Sequence, residues 1–314
     1  MAQGGDRSRS LYAPAMRYFA AVAELGSIRA AARELNVASS AVNRQILWLE
    51  EALDLALFER VGRGLRLAPA GEVLLAHVRR TYSDFEGTVA ELDALKGLRR
   101  GTVSVATVES LAETILPDII GSFRKTYPGI HVAVTVTSAQ QAAHLVETAE
   151  ADVGFTFDPP RNAALSIAFA HELPIGAVMA PDHEASTSDP LTLADCLRYP
   201  IALPARGLSL RTRLDAALAR IPGTLRTYVE ANSLSFMRAL ARRGMVISFQ
   251  TRIGLEKDLA AGTLVFRPLT DAPLQQDRFA IVTSSMRALA LAPGMFFDHA
   301  LITLKDHLPA IDAI

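Results

Sequence analysis

The segment from residue 27 to residue 71 constrains the fold of this chain more than any other, because it sorts into two short helices joined by a tight break. Ser27 can cap the first helix, whose apolar residues follow at the spacing i, i+3, i+4 and i+7. Asn36 can end that helix, since Asn tolerates the left-handed conformation of helix ends, and Ser39 can cap the second. The apolar residues of the second helix share one face: Val42, Ile46, Leu49 and Leu53. The pattern predicts a helix–turn–helix.

The opposite face of the second helix has the character of a surface that reads bases. At 100° per residue, one stripe runs along Ser40, Asn43, Arg44 and Leu47, which we call the reading stripe. It is short, mostly polar, free of acidic residues and close to the helix amino terminus, as a recognition helix in the major groove must be. The alternative is a small helical domain whose arginines lie in solvent, and helix–turn–helix geometry alone does not decide between the two.

Two flanking segments complete this unit. The apolar residues before Gly26 have the spacing of the buried side of a further helix: Met16, Phe19, Ala20 and Ala23. After the second helix, residues 57–67 have the pattern of two short strands around a Gly-rich turn, a winged hairpin whose arginines can reach phosphate or the minor groove. We therefore expect the DNA contacts to be Ser27, Ser39, Ser40, Asn43, Arg44, Leu47, Arg60, Arg63 and Arg66.

The same segment resembles the amino-terminal signature of LysR-type transcriptional regulators. The residues that carry the resemblance are Gly26-Ser27, Ala31-Ala32, Leu35, Ala41-Val42, Arg44-Gln45-Ile46, Leu49-Glu50, Leu53, Leu57-Phe58-Glu59-Arg60, Leu65, Leu67 and Ala70-Gly71. Where that family often has Gln, Ser, a basic residue, Gly and Thr, this chain has Ser39, Asn43, Leu47, Asp54 and Ala68. The first three lie on or beside the reading stripe, so these departures bear on the operator sequence more than on DNA binding itself.

The resemblance implies an α/β architecture in three parts. These are an N-terminal winged helix–turn–helix at residues 11–69, a long dimerisation helix at residues 70–97, and a two-lobed, periplasmic-binding-protein-like effector domain at residues 98–314, after a disordered lead-in at residues 1–10. We expect lobe I at about residues 101–165 plus 270–314, and lobe II at about residues 166–269. Strand and helix patterns alternate after residue 101, which itself favours parallel sheets covered by helices.

The residues after Gly71 predict the long helix by their own spacing. A heptad seam steps by four and three residues over about three heptads and requires a partner, for which a second copy of the same helix is the simplest choice. The alternative is that the seam packs against its own domain. The seam residues expected at the dimer contact are Leu74, Val78, Thr81, Phe85, Thr88, Leu92 and Leu95.

Polar residues directly after the predicted strands are the candidate effector contacts. Ligands bind outside the carboxyl ends of parallel strands, where helix amino termini offer N–H groups that suit a carboxylate or another small anion. Helix capping also explains each of these residues, and Arg206 either supplies a counter-charge or lies exposed. With Pro204 and Phe249, which the family resemblance adds, the expected contacts are Ser110, Thr137, Ser138, Pro204, Arg206, Asn232, Ser233 and Phe249.

Composition limits the class of protein. With 314 residues, 21% of them charged, and a formal net charge of −1, the chain is long enough for two or three compact units and has no overall basicity. Charge is nearly balanced in the DNA-reading segment, so one copy would bind DNA weakly, and we expect a homodimer or homotetramer. The single cysteine, Cys196, fits a reducing cytoplasm, and no apolar run has the length of a membrane span.

The sequence has no motif for catalysis, a cofactor or a metal. The seven histidines never fall at a ligand spacing such as HExxH, and no G-x-S-x-G, P-loop or G-x-G-x-x-G is present. The leading hypothesis is a sequence-specific regulator, not an enzyme, with double-stranded DNA, a small-molecule effector and RNA polymerase as partners. The alternatives are a cytoplasmic small-molecule-binding protein or enzyme with an N-terminal association domain, and a regulator that senses no effector.

Overall fold

The computed structural model describes residues 13–61, 64–95, 101–206, 208–221, 227–275 and 277–312. The chain forms two compact units, residues 1–101 and residues 102–314. The expected lead-in at residues 1–10 lies outside the described residues, as do residues 96 and 97 of the expected long helix. No described helix has the length and apolar character that crossing a lipid bilayer demands.

Unit 1 contains the predicted helices and hairpin in the predicted order. Its elements are α1 (Pro14–Leu25), α2 (Ile28–Glu34), α3 (Ser39–Leu53), β1 (Phe58–Val61), β2 (Gly64–Leu67) and α4 (Pro69–Leu95). One apolar cluster joins the helices and includes Phe19, Val22, Ala31, Ala32, Val42, Ile46, Leu49, Leu57, Leu75, Val78 and Tyr82. The helix–turn–helix therefore folds around a core that also takes in the first half of α4.

The turn between α2 and α3 follows the sequence pattern at two of three points. The Ser27 hydroxyl accepts a hydrogen bond from the Ala30 amide at 3.4 Å and caps α2. Asn36 has a φ of 53°, the left-handed conformation expected at the break. The prediction that Ser39 caps α3 is wrong: Ala38 is the extended residue before the helix and makes no side-chain cap, while Ser39 is already helical.

Two hydrogen bonds and one close approach fix the wing to the helices. The Leu65 amide of β2 donates to the Gly26 carbonyl at 2.9 Å, and the Leu57 amide before β1 donates to Glu50 Oε1 at 2.8 Å. Gly71 lies so close to the Leu57 carbonyl that a β-carbon at residue 71 would overlap its oxygen. The start of α4 can therefore pack under the wing only because residue 71 has no side chain.

The long helix α4 is continuous, but its predicted seam divides into two parts. Val78 is 2% exposed and packs within the unit 1 core beside Leu75 and Tyr82, so its assignment to a dimer contact is wrong. The apolar residues of unit 1 cover it, as the alternative interpretation of the seam anticipated. Further along, Thr88 is exposed and Leu92 is 52% exposed.

The first lobe of unit 2 is built on a five-stranded sheet in the order β4-β3-β5-β12-β6. Strands β3 and β5 are parallel, whereas β12 runs antiparallel to both β5 and β6, so the sheet is mixed rather than wholly parallel. The elements of this lobe are β3 (Gly101–Thr107), α5 (Glu109–Glu113), α6 (Ile115–Thr126), β4 (Ile130–Val136), α7 (Ala139–Glu147), β5 (Val153–Phe157), β6 (Leu165–Leu173), β12 (Asp277–Ser284) and α12 (Leu291–Asp312).

The second lobe has its own core and two smaller sheets, ordered β10-β7-β11 and β8-β9. Its elements are β7 (Gly176–Met179), α8 (Leu193–Cys196), β8 (Ile201–Pro204), α9 (Ser209–Leu218), β9 (Thr227–Ala231), α10 (Leu234–Ala241), β10 (Ser248–Gln250), α11 (Glu256–Ala260) and β11 (Val265–Pro268). The expected lobe boundary at residue 166 is too early, because β6 pairs with β12 and belongs to the first sheet. Ile175 and Leu274, which flank the two crossings, both lie in the core of the second lobe.

Candidate nucleic-acid interface and effector cleft

Helix α3 presents the reading stripe to solvent. Ser40, Asn43 and Arg44 are exposed, and Leu47 is 56% exposed. The opposite face is buried against α1 and α2 through Val42, Ile46 and Leu49. The predicted Leu53 is instead exposed, since it lies in the last turn, directly before the left-handed Asp54. The burial of one face fixes the helix in its unit, and the other face is free to enter a groove.

The wing carries two described arginines, and they point to different sides of the hairpin. Arg60 pairs in register with Leu65, and Arg66 pairs with Glu59. Because successive side chains alternate across a strand, Arg60 and Arg66 emerge on opposite faces, and Arg66 has a carboxylate beside it. Arg63 lies outside the described residues. Ser39 is exposed, whereas the Ser27 hydroxyl is half-buried and occupied as a cap.

Trp48 is a surface residue of α3 that the sequence analysis did not select. Trp48 is 55% exposed and directly follows Leu47 in the sequence, so the reading stripe continues into an apolar pair. The signal was present in the sequence, because Trp48 falls off the face defined by Ile46 and Leu49. A large apolar residue in that position has no core to fill.

The first lobe offers two post-strand loops at one sheet edge. Strand β3 ends at Thr107, whose carbonyl accepts a hydrogen bond from the Thr137 amide at 2.8 Å. Ser110 is 3% exposed, and Thr137 is half-buried. The Ser138 hydroxyl accepts from the Gln141 amide at 3.3 Å and caps α7, so at least one of its roles is capping.

The second lobe offers a matching edge. Strands β8 and β9 are parallel, with Pro204 opposite Ala231, and the Ala205 amide donates to the Ala231 carbonyl at 2.8 Å. This register places the loop after Pro204 beside the turn at Asn232 and Ser233. The Ser233 hydroxyl accepts from the Phe236 amide at 3.2 Å and caps α10. We call these two edges, with the residues between them, the effector cleft.

One expected contact has different surroundings from those the sequence suggested, and a second follows one of the two alternatives that the sequence left open. Phe249 is fully buried in the core of the second lobe, so its assignment as an effector contact is wrong. Arg206 is exposed, and the buried arginine of this edge is Arg211 on α9. Arg211 donates to the Pro204 carbonyl at 2.9 Å and pairs with Asp215 at 2.7 Å, so it fixes the β8 loop from behind.

Glu109 joins the two edges of the cleft. Its carboxylate accepts hydrogen bonds from the Leu234 amide at 2.6 Å, the Ser235 hydroxyl at 2.7 Å and the Ser233 hydroxyl at 2.8 Å. Burial acts to raise the pKa of Glu109, but the hydrogen bonds from Ser235, Ser233 and Leu234 and the charge of Arg238 outweigh it, so its pKa lies below the ordinary value. Sequence reasoning selected the neighbouring Ser110 and missed Glu109.

Arg238 lies one turn into α10 and is 3% exposed. Its Nη2 pairs with Glu113 of α5, a second contact between the lobes. Its Nε and Nη1 have no hydrogen-bond partner among the residues that the structure describes. A β-carbon on Gly254 would lie 3.1 Å from Nη1 and 3.2 Å from the Ser110 β-carbon, so the guanidinium and Ser110 meet around this glycine.

A third contact between the lobes lies near the crossings. Arg213 of α9 donates to Asp158, which follows β5, at 2.7 Å. Asp277 begins β12, is 3% exposed and has one carboxyl oxygen without a partner among the described residues. Burial and the neighbouring Asp158 carboxylate raise the pKa of Asp277 to about 7, against the opposing effect of Arg213.

Within the described part of the chain, no group of three or more His, Cys, Asp and Glu residues is placed to hold a metal ion. Cys196 is buried, and burial raises its pKa to about 12, so the thiol is not a nucleophile at neutral pH.

Two family models match the chain. One is described as the LysR substrate binding domain and matches residues 96–303, and the other as the bacterial regulatory helix-turn-helix protein, lysR family, and matches residues 14–72. The HTH-type transcriptional regulator CbbR of Rhodospirillum rubrum is 29% identical over 89% of this chain and 93% of that protein. The HTH-type transcriptional activator CmpR of Synechocystis is 24% identical over 90% and 92%, respectively.

Solved structures share the fold. Full-length OxyR from Pseudomonas aeruginosa, in a variant form, has a TM-score of 0.71 at 19% identity and covers 93% of both chains. Full-length CbnR complexed with its target DNA has a TM-score of 0.59 at 20% identity, over 92% of this chain and 98% of that one. The effector binding domain of QuiR in complex with shikimate has a TM-score of 0.56 at 16% identity, over 66% and 99%, respectively.

The domain models favour a transcriptional regulator over a small-molecule-binding protein or enzyme with an association domain. The solved structures, at 20% identity or less, show the fold alone. Together they match residues 14–72 and 96–303, which include the reading helix and both edges of the cleft. The relatives are named as regulators and activators of transcription rather than as enzymes. The chain therefore belongs to the LysR family of DNA-binding transcriptional regulators.

Proposed function

We propose that this regulator recognises its operator through the reading stripe of α3. Asn43 can pair with adenine and Arg44 with guanine in the major groove, and Leu47 can contact a thymine methyl group. Ser27, Ser39 and Ser40 would contact the backbone near the helix terminus, and the wing would add Arg60, Arg63 and Arg66. The observation that carries the proposal is the division of α3 into one buried apolar face and one exposed polar face.

Two or more copies would act together on the DNA. The exposed part of α4 around Thr88 and Leu92 offers a surface for a second copy. Leu95 continues the same spacing in the sequence, and its side chain lies outside the described part of the chain. Leu74, Thr81 and Phe85 are half-buried and would lie at the margin of that contact. A twofold dimer carries two reading helices and would bind a dyad-symmetric site, and a homotetramer would bind two such sites.

The effector cleft would bind a small anionic metabolite. The first lobe would contact the metabolite through Ser110, Thr137 and Ser138. The second lobe would contact it through Pro204, Arg206, Asn232 and Ser233. These residues lie at or after strand ends and near helix amino termini. QuiR, which shares the fold, was solved with shikimate, a carboxylate. The structure of QuiR thus supports a carboxylate as the chemical class of the effector. Screening of metabolites would identify the effector itself.

Effector binding would be coupled to DNA binding through the equilibrium between two arrangements of the oligomer. Such coupling requires that the effector bind one arrangement more tightly than the other. We expect the regulator to act in the cytoplasm, where it would meet both its operator and RNA polymerase. RNA polymerase is a proposed partner on the basis of function in transcription alone.

A mobility-shift titration tests the DNA-binding proposal. Operator fragments are selected from random DNA with the full chain and then titrated over a salt series. Arg44→Ala should weaken specific binding by roughly 1–3 kcal/mol if Arg44 contacts a base, while binding to unrelated DNA changes much less. The slope of the logarithm of the binding constant against the logarithm of the salt concentration should be proportional to the number of phosphates contacted.

Arg198→Ala is the matched control. It removes the same side chain from an exposed position of the second lobe, far in sequence from α3. Binding that is independent of salt, or an Arg44→Ala variant that binds its operator like the Arg198→Ala variant, would contradict the assignment of the reading stripe.

A further inference from the structure

The amino terminus of α10 already holds a carboxylate, and that carboxylate belongs to the chain itself. Glu109 accepts hydrogen bonds from the Leu234 amide and from the hydroxyls of Ser233 and Ser235, all between 2.6 and 2.8 Å. One backbone N–H and two hydroxyls at a helix amino terminus are the donors that a free carboxylate ligand would use. Glu109 therefore occupies the position that an anionic effector would take.

The occupant and its donors come from different lobes. Glu109 begins α5 in the first lobe, while Ser233, Leu234 and Ser235 begin α10 in the second lobe. The hydrogen bonds hold the carboxyl group in its charged form, because they lower its pKa despite partial burial. A charged side chain that closes the cleft in this way links the occupancy of the site to the contact between the lobes.

A second observation points to a ligand in the same place. The guanidinium of Arg238 is buried between α5 and Gly254, and its Nε and Nη1 lack partners among the described residues. Unpartnered donors on a buried charged group are costly unless a partner is supplied. Glu113 uses only Nη2, so two donors of the buried cation remain for an incoming oxygen atom.

We propose that the amino terminus of α10 is a carboxylate subsite of the effector cleft, that Glu109 fills it from within, and that a carboxylate-bearing effector binds by displacing Glu109. The proposal rests on the proposed function for the statement that the displacing ligand is the effector. Glu109 is then the residue that sets specificity, since only ligands that can replace its three hydrogen bonds gain entry. A neutral or cationic ligand leaves Glu109 in place and the lobes joined.

Exogenous acetate tests the subsite without knowledge of the effector. Glu109→Ala in the full chain removes the internal carboxylate and leaves its donors free, so sodium acetate up to about 100 mM should raise the Tm of this variant. The wild type and Glu172→Ala, which removes an exposed carboxylate on β6, should respond to sodium acetate as they do to sodium chloride of equal ionic strength. Adding Ser235→Ala to Glu109→Ala should weaken acetate binding about threefold to tenfold.

Equal responses of Glu109→Ala and wild type to acetate would overturn the proposal. If Glu109→Ala does not fold, Glu109→Gln is tested in the same way: the neutral amide holds the helix terminus less tightly, so acetate should again stabilise the variant and not the wild type. Equal responses of Glu109→Gln and wild type to acetate would likewise overturn the proposal. Failure of the DNA-binding proposal is seen separately, in the mobility shift of Arg44→Ala, which does not involve the cleft.

Discussion

The reading stripe and the effector cleft are built in opposite ways. The stripe comes from eight consecutive positions of one helix, so its geometry follows from helical period alone. The cleft is assembled from segments of two lobes that lie more than a hundred residues apart, as in the contact between Glu109 and Ser233. A site of the first kind depends on the stability of one small unit, and a site of the second kind depends on charged groups that hold two lobes together.

A buried carboxyl group near the crossings between the lobes should make the second unit sensitive to pH, and this is the largest effect we expect. Asp277 keeps a proton to about pH 7 in the folded chain, whereas an unfolded Asp loses it near pH 4. The folded state thus binds more protons in this window, so the free energy of unfolding falls as pH rises from about 4 to 7, by at most roughly 4 kcal/mol. Above about pH 7 the loss is complete.

Asp277→Asn removes this titration. Urea unfolding of the full chain at pH 5 and pH 8 should show a smaller decrease for the variant than for the wild type, with Asp182→Asn, at an exposed turn, behaving like the wild type. A variant and wild type that lose the same stability over this window would show that Asp277 is not the group responsible.

The reading unit should instead depend on close packing. Gly71→Ala places a β-carbon against the Leu57 carbonyl, and relief requires α4 or the wing to move. We expect the unit to lose roughly 3 kcal/mol in the free energy of unfolding, measured by urea unfolding, and operator binding to fall with it. Gly121→Ala is the matched control, since its β-carbon would meet nothing within 4 Å and α6 should gain about 0.5–1 kcal/mol. Equal stability of the two variants would refute the steric argument.

The two parts of α4 offer a test inside one helix. Val78→Ala leaves a cavity in the unit 1 core and should destabilise that unit by about 2 kcal/mol at any protein concentration. Leu92→Ala removes an exposed side chain and should leave unfolding of the unit unchanged while weakening self-association. Analytical ultracentrifugation over a dilution series separates the two effects. Self-association that is unaffected by Leu92→Ala would place the dimer contact elsewhere.

The difference between the two sites also explains how far sequence could predict them. The Ser27 cap, the left-handed Asn36 and the exposed stripe of α3 depend on residues a few positions apart, so local spacing was enough. Ser39 was wrongly predicted as the cap because α3 begins one residue earlier than expected, and capping patterns do not fix a helix boundary to a single residue.

In the cleft, the placement of post-strand loops was predictable because strand order implies a common edge, but the contacts across it were not. Glu109 was missed because its partners are in the other lobe. Phe249 was misassigned because every residue of β10 is buried, and the family resemblance that suggested Phe249 gives no information on burial. Strand β6 pairs with β12 over a separation of more than a hundred residues, which no local pattern reveals.

Leu47 gives the smallest expected effect and the finest test of the reading stripe. If its exposed side chain packs against a thymine methyl group, Leu47→Ala should weaken operator binding by about 1 kcal/mol. Replacing that thymine by uracil removes only the methyl group, so it should cost the wild type a similar amount and the Leu47→Ala variant much less. The double comparison isolates the contact from any change in the fold of α3, because both proteins are titrated with both DNAs. If the losses are additive, the Leu47→Ala variant is as sensitive to the missing methyl group as the wild type. That result would mean that Leu47 faces the backbone or solvent. Asn43 and Arg44 alone would then carry base recognition by α3.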